Sequence, residues 1–307
     1  MEVVPYLGQT IRRWQIGSAT FLAWPEAGAR LMHWSVTRGD GSVREVIHWP
    51  ELQQLPPSLA KVRGGNPILF PFSGRVYLNG EQGFWLDGSG VRRPMPIHGF
   101  ARQGRFKLAQ INEAGFDAVL EPDDEARAAY PYDYEFKVCY RFGPLSLACE
   151  FMLTNHGEAP LPWSAGHHFY FAVPWNEEQQ RSDYVIQLPA ARSARQDTSG
   201  TIVDGPALPR QPSLADPLLI DALHLQLRQS ECTFGPRESS ERVTVRLGTR
   251  PQPPPEATFV TWTENDTSPF YCVEPWMGPP NAPEHRLGLH TVAPGQTQRF
   301  CVEVLLR

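Results

Sequence analysis

Between Tyr134 and Leu153 apolar and polar positions alternate with a period of two. Tyr134, Phe136, Val138, Tyr140 and Phe142 precede Gly143-Pro144, and Leu145, Leu147, Cys149, Phe151 and Leu153 follow it. Successive side chains of a strand point to opposite faces, so the pattern predicts a β-hairpin with one buried face and a Gly-Pro turn. Shorter runs of the same kind predict strands over 19–24, 31–37, 116–120, 243–247, 258–262 and 299–306. Asn79-Gly80, Asp87-Gly88 and Pro294-Gly295 supply turn signals. Helical stretches are confined to 51–59 and 123–129, the second stopped by Pro131. The proline-rich patches 206–217 and 251–255 have strand-like segments on both sides, which marks them as long loops rather than linkers. The expected fold is all-β: a large antiparallel β-sandwich built by residues 1–307 as a single domain.

Composition supports that expectation and removes several function classes. Proline, at 31 of 307 residues, is about twice its usual ~5% share and disfavours helices. A net charge of −5 gives no electrostatic footprint for nucleic acid or an anionic membrane. Arg92-Arg93 and the pair Arg192 and Arg195 read as solvated surface. No apolar run is long enough to cross a bilayer, and the segment from Met1 to Pro5 lacks the basic and apolar regions of a signal peptide. A cytoplasmic location is therefore expected. The five cysteines show no CxxC spacing, which argues for free buried thiols over a zinc or redox motif. Cys272 stands two residues before Glu274, on the same face if the segment is a strand, and is given no catalytic role.

Three short strings carry the candidate chemistry: Pro96-Ile-His-Gly-Phe-Ala-Arg102, Gly166-His-His-Phe-Tyr-Phe171 and Cys272-Val-Glu-Pro-Trp276. Each sets a proton-carrying side chain among glycine, proline and aromatic residues. Two imidazoles and a carboxylate can move protons near neutral pH, and aromatic faces suit sugars. Glu274 lies in an apolar neighbourhood, where burial raises a carboxyl pKa and a nearby cation lowers it. Adjacent His167 and His168 point to opposite faces of a strand, so one of them serves a given pocket. Asp221, within Leu218-Leu-Ile-Asp-Ala-Leu223, is a second acid among apolar residues. The chain has no GxSxG, no GxGxxG and no GxxxxGK[ST], which leaves a hydrolytic triad, a nucleotide enzyme and a kinase unsupported. HxH and HxxxH are missing around the doubled histidine, against a metal-dependent β-sandwich enzyme.

In order along the chain, the run from Arg63 to Arg75 (RGGNPILFPFSGR), then PIHGFAR, GHHFYF and CVEPWMGPPNA resemble the aldose 1-epimerase (galactose mutarotase) superfamily, in particular its bacterial branch with HGFAR and EPW. The resemblance runs from about Arg63 to the final strand. It implies the galactose mutarotase-like supersandwich, no metal, no organic cofactor, and interconversion of the α and β anomers of a reducing sugar. By position, Glu274 matches the family's base and His168 its acid, with Phe171 at the family's aromatic position. His98 matches the second histidine, near the ring oxygen, and Arg75 the arginine that contacts hydroxyls. Asp221 matches a further hydroxyl-binding acid, and Trp276 and His167 join the expected sugar-binding set. Arg63 and Arg102 match positions used for phosphate in the hexose-6-phosphate branch, and an arginine pair suits a dianion. The expected ligand is thus a small sugar or sugar phosphate. A catalytically inactive sugar-binding protein of the same fold is the alternative from another class.

Overall fold

The structure is a computed structural model that describes residues 1–307. Two large antiparallel sheets share one hydrophobic core of 57 buried residues. In the second sheet the hairpin Tyr134–Gly143 and Ser146–Asn155 pairs in register around a two-residue turn, Pro144-Leu145. Phe136, Val138, Tyr140, Leu147, Cys149, Phe151 and Leu153 are buried, as alternation required. The last strand, Thr297–Leu306, pairs with Ser146–Asn155 on one side and Val243–Leu247 on the other.

The first sheet carries the chemistry. Its centre runs through Phe169–Ala172, Phe270–Trp276, Thr258–Trp262 and Ala222–Leu227, each hydrogen-bonded to the next. Along Phe270–Trp276 the residues Tyr271 and Val273 enter the inter-sheet core, whereas Phe270, Cys272 and Trp276 join small apolar clusters on the opposite face. Glu274 falls on that outer face by parity.

The proline-rich patches are loops, as expected: residues 206–217 connect strands Ile202–Asp204 and Ala222–Leu227 of one sheet. The helix expected over 123–129 forms as Asp124–Ala129, with the Asp123 carboxylate accepting from the Ala126 amide. The helix expected over 51–59 does not form. Pro56-Pro57 removes two donors and holds the preceding residue extended, so only the 3₁₀ turn Leu59–Lys61 appears. No helix is long and apolar enough to cross a membrane, and all five cysteines are free.

Candidate active site

A cleft of about 590 Å³ opens on the outer face of the first sheet, within the usual size range of small-molecule pockets. Arg63, Arg75, His98, Arg102, His168, Asp221, Glu274 and Trp276, eight of the residues singled out in the sequence, all line it. They arrive from five separate segments, so the convergence is a property of the fold and not of any local motif.

The register of the central strands sets the acid/base pair. Phe169 pairs with Val273, which brings His168 beside Glu274, and His168 Nε2 approaches Glu274 Oε1 to 3.5 Å. Glu274 is 2% exposed and its Oε2 has no hydrogen-bond partner. Burial, reinforced by Asp221, pushes its carboxyl well above the usual range. Burial pushes the His168 imidazole well below its ordinary value, with His98, Arg102, Arg30 and Arg63 adding repulsion. Both shifts disfavour the charged forms and so favour a neutral carboxyl beside a neutral imidazole. Tyr170 stacks on His168 at 4.7 Å and fixes the ring plane.

His98 is held by Gly74 from two directions. The His98 amide donates to the Gly74 carbonyl (2.8 Å), and the Gly74 amide donates to His98 Nδ1 (3.1 Å). Nδ1 is therefore the acceptor, and the hydrogen resides on Nε2. Burial and the charges of Arg102, Arg75 and Arg63 lower the His98 pKa to about 3, which keeps the ring a neutral donor. Its backbone sits at φ 66°, and Asp221 sits at φ 53°. Left-handed backbone in non-glycine residues concentrates at functional sites. Gly99, next in the loop, has φ +69°, and a Cβ there would lie 1.9 Å from the Phe70 carbonyl oxygen. That close approach is the bridge between Phe70 and Gly99 that docks HGFAR against the RGGNPILFPF run.

The doubled histidine is resolved by face. His167 is fully buried between the sheets, stacked on Phe151 at 4.2 Å and on Phe169 at 5.2 Å. It does not line the cleft, which corrects its placement in the sugar-binding set: strand alternation turns it away from His168. Asn66 ties the two together. Its Nδ2 lies 2.9 Å from His167 Nδ1 and donates to the Tyr140 hydroxyl, and its Oδ1 accepts from the His168 amide. A fully buried asparagine needs such partners, and the Asn between Gly-Gly and Pro in an apolar run was the available clue.

Two more residues escaped the sequence reading. Arg195 lines the cleft, with its guanidinium bound to the Leu218 and Ile220 carbonyls, and is not a solvated surface charge. Lys61 lines it as well. The wall thus carries five basic side chains against two acids. Among these residues Arg63 forms an ion pair with Glu264 at 3.3 Å. Arg102 Nε is buried without a partner.

A large two-sheet antiparallel β fold, with a carboxyl, imidazoles and aromatic side chains in an open cleft on one sheet, defines the class of this protein. The family model "Aldose 1-epimerase" matches residues 13–304, and the chain belongs to that family. Protein LacX of Lactococcus lactis is 29% identical over 233 residues, covering 70% of this chain and 74% of LacX. A galactose mutarotase-like protein from Clostridium acetobutylicum shares the fold with a TM-score of 0.80 at 17% identity, over 100% of this chain and 98% of that one. A galactose mutarotase-related enzyme from Lactobacillus acidophilus does so with a TM-score of 0.77 at 19% identity, over 97% of each chain.

Proposed function

We propose that this protein is an aldose 1-epimerase that interconverts the anomers of a reducing sugar by acid/base ring opening. The observation that carries the proposal is the contact of the Glu274 carboxyl with the His168 imidazole at 3.5 Å in an open, aromatic-lined cleft; in this reading the pair holds one proton. Moving that proton across the contact gives a carboxylate and an imidazolium with no net uptake. Glu274 then takes the proton of the anomeric O1 hydroxyl while His168 protonates the ring oxygen. The bond between C1 and the ring oxygen breaks, and C1 becomes an aldehyde. Rotation about C1–C2 presents the other face; His168 recovers its proton from the ring-derived hydroxyl, and Glu274 returns one to O1. Both groups end as they began. His98 Nε2–H is a fixed neutral donor for the ring-oxygen side, Trp276 offers a flat face, and Arg75 and Asp221 are placed for hydroxyls.

A second reading concerns the substrate. Five basic residues in one cleft of a chain with net charge −5, among them Arg102 with a buried unpartnered Nε, favour a hexose 6-phosphate over a neutral sugar. The test is polarimetry on freshly dissolved α-glucose, α-galactose and glucose 6-phosphate, each with the wild type and with Arg102→Ala. Acceleration over the spontaneous rate is expected, and none with any reducing sugar would remove the epimerase reading and leave a sugar-binding protein. An Arg102→Ala loss confined to the phosphorylated sugar selects the second reading; equal losses on all three select the first.

A further inference from the structure

The acid/base pair has a third neighbour that the reaction does not use. Cys272 precedes Glu274 by two residues on the outer face of the same strand, and its thiol lies fully buried beneath the cleft with Tyr170, Phe270 and Trp262 around it. One donor atom each from His168, Cys272 and Glu274 lies within 4.8 Å of the others. Tetrahedral zinc, bonded at about 2.0–2.3 Å, holds its ligand atoms about 3.5 Å apart, so small side-chain rotations close the set. The second oxygen of Glu274 is buried and free of hydrogen bonds, an acceptor with nothing to accept from.

We infer that His168, Cys272 and Glu274 form a site for a thiophilic divalent cation, zinc or cadmium, that captures the acid/base pair and blocks sugar turnover. Imidazole, thiolate and carboxylate are the donor types such ions take, and three protein ligands leave a fourth position open to the cleft. Ligation releases the Cys272 thiol proton and the carboxyl proton to the buffer. The two anionic ligands then neutralise the dication inside a buried site, which offsets the repulsion of Arg63 and Arg102. Magnesium and calcium, which ask for six or more oxygens, find no such set here.

The first test needs no activity. Cadmium is titrated into the metal-free full chain while the ultraviolet thiolate-to-cadmium charge-transfer band is followed. The band should saturate at one equivalent, vanish in Cys272→Ser, weaken in His168→Asn, persist in Cys301→Ser and be displaced by zinc. No band, or a band unchanged in Cys272→Ser, overturns the site. The inhibitory half rests on the epimerase reading: zinc should slow anomerisation of the wild type, and Cys272→Ser should weaken inhibition more than about tenfold while keeping the metal-free rate. Zinc inhibition that Cys272→Ser leaves unchanged, or no inhibition at all, overturns the blocking role even if the band appears.

Discussion

Replacing Glu274 by glutamine separates catalysis from stability, because the two should move in opposite directions. The side chain keeps its shape and loses its ability to ionise. A positioned general acid or base contributes about 10²–10⁴-fold, so Glu274→Gln should raise the barrier by about 2.7–5.5 kcal/mol and slow anomerisation accordingly. Stability follows from the raised folded pKa of Glu274. Above about pH 4.5 the unfolded chain releases this proton while the native protein keeps it. Native stability therefore falls by about 1.4 kcal/mol per pH unit, from the unfolded pKa up to the folded one. Glutamine has no such proton, and its amide can donate to His168 Nε2 across the 3.5 Å contact. The variant should gain stability relative to the wild type as pH rises. Polarimetry reads the first effect, and urea unfolding at about pH 5 and pH 8 reads the second. A variant that keeps the wild-type rate, or whose stability difference from the wild type does not grow with pH, refutes the assignment of a buried, proton-holding base.

The neighbouring histidines should behave as differently as their faces. His168→Asn should lose about 10²–10⁴-fold in rate, whereas His167→Phe, which preserves the stack on Phe151 and Phe169, should retain most of it; the reverse order would move the acid to His167. Acid should destabilise the protein through His167 and His224, both buried with folded values of about 3. Below about pH 6.5 the unfolded chain takes up protons that the native state refuses, so stability is full above that value and falls as pH drops toward 3, by about 1.4 kcal/mol per group at pH 5.5. Urea unfolding at pH 7.5 and 5.5 checks this, and His167→Phe should remove its share of the difference. Gly99→Ala forces a Cβ against the Phe70 carbonyl at φ +69°. It should cost about 2 kcal/mol or more and depress activity by moving His98 and Arg102, read as a lower Tm with a slower rate.

Legibility in the sequence followed the range of the interactions involved. Period-two alternation is local, so the hairpin through Tyr134 and Leu153, the strands around it and the opposite faces of His167 and His168 could be predicted from neighbours alone. The faces, however, say nothing about which side holds the cleft; that depends on pairing Phe169 with Val273, a contact between residues a hundred positions apart. The family resemblance supplied this choice where periodicity could not. Arg195 was misjudged because its partners, the Leu218 and Ile220 carbonyls, are backbone groups that leave no mark in side-chain chemistry. The 51–59 stretch failed for a local reason, since Pro56-Pro57 outweighs the helix-forming residues beside it. Asn66 was visible but mute: a buried amide announces a need for partners without naming them.

The arrangement also explains how a fold tolerates such a site. His98 and Asp221 sit in left-handed backbone, Glu274 and His168 are buried against their preference for water, and several cations crowd one cleft. Each feature opposes stability, yet none lies in the 57-residue core between the sheets. The strand Phe270–Trp276 shows why the two are separable. Its residues Tyr271 and Val273 pack into that core, and the intervening Cys272 and Glu274 lie on the opposite face, where Glu274 lines the cleft. The same backbone hydrogen bonds hold both sets in place, so the core residues fix the register on which the 3.5 Å contact depends. A slip of one residue would bury Glu274 between the sheets and turn Val273 toward the cleft. Burying an unpaired carboxyl in an apolar core is costly enough to exclude that register, so Glu274 itself helps to specify the pairing that places it.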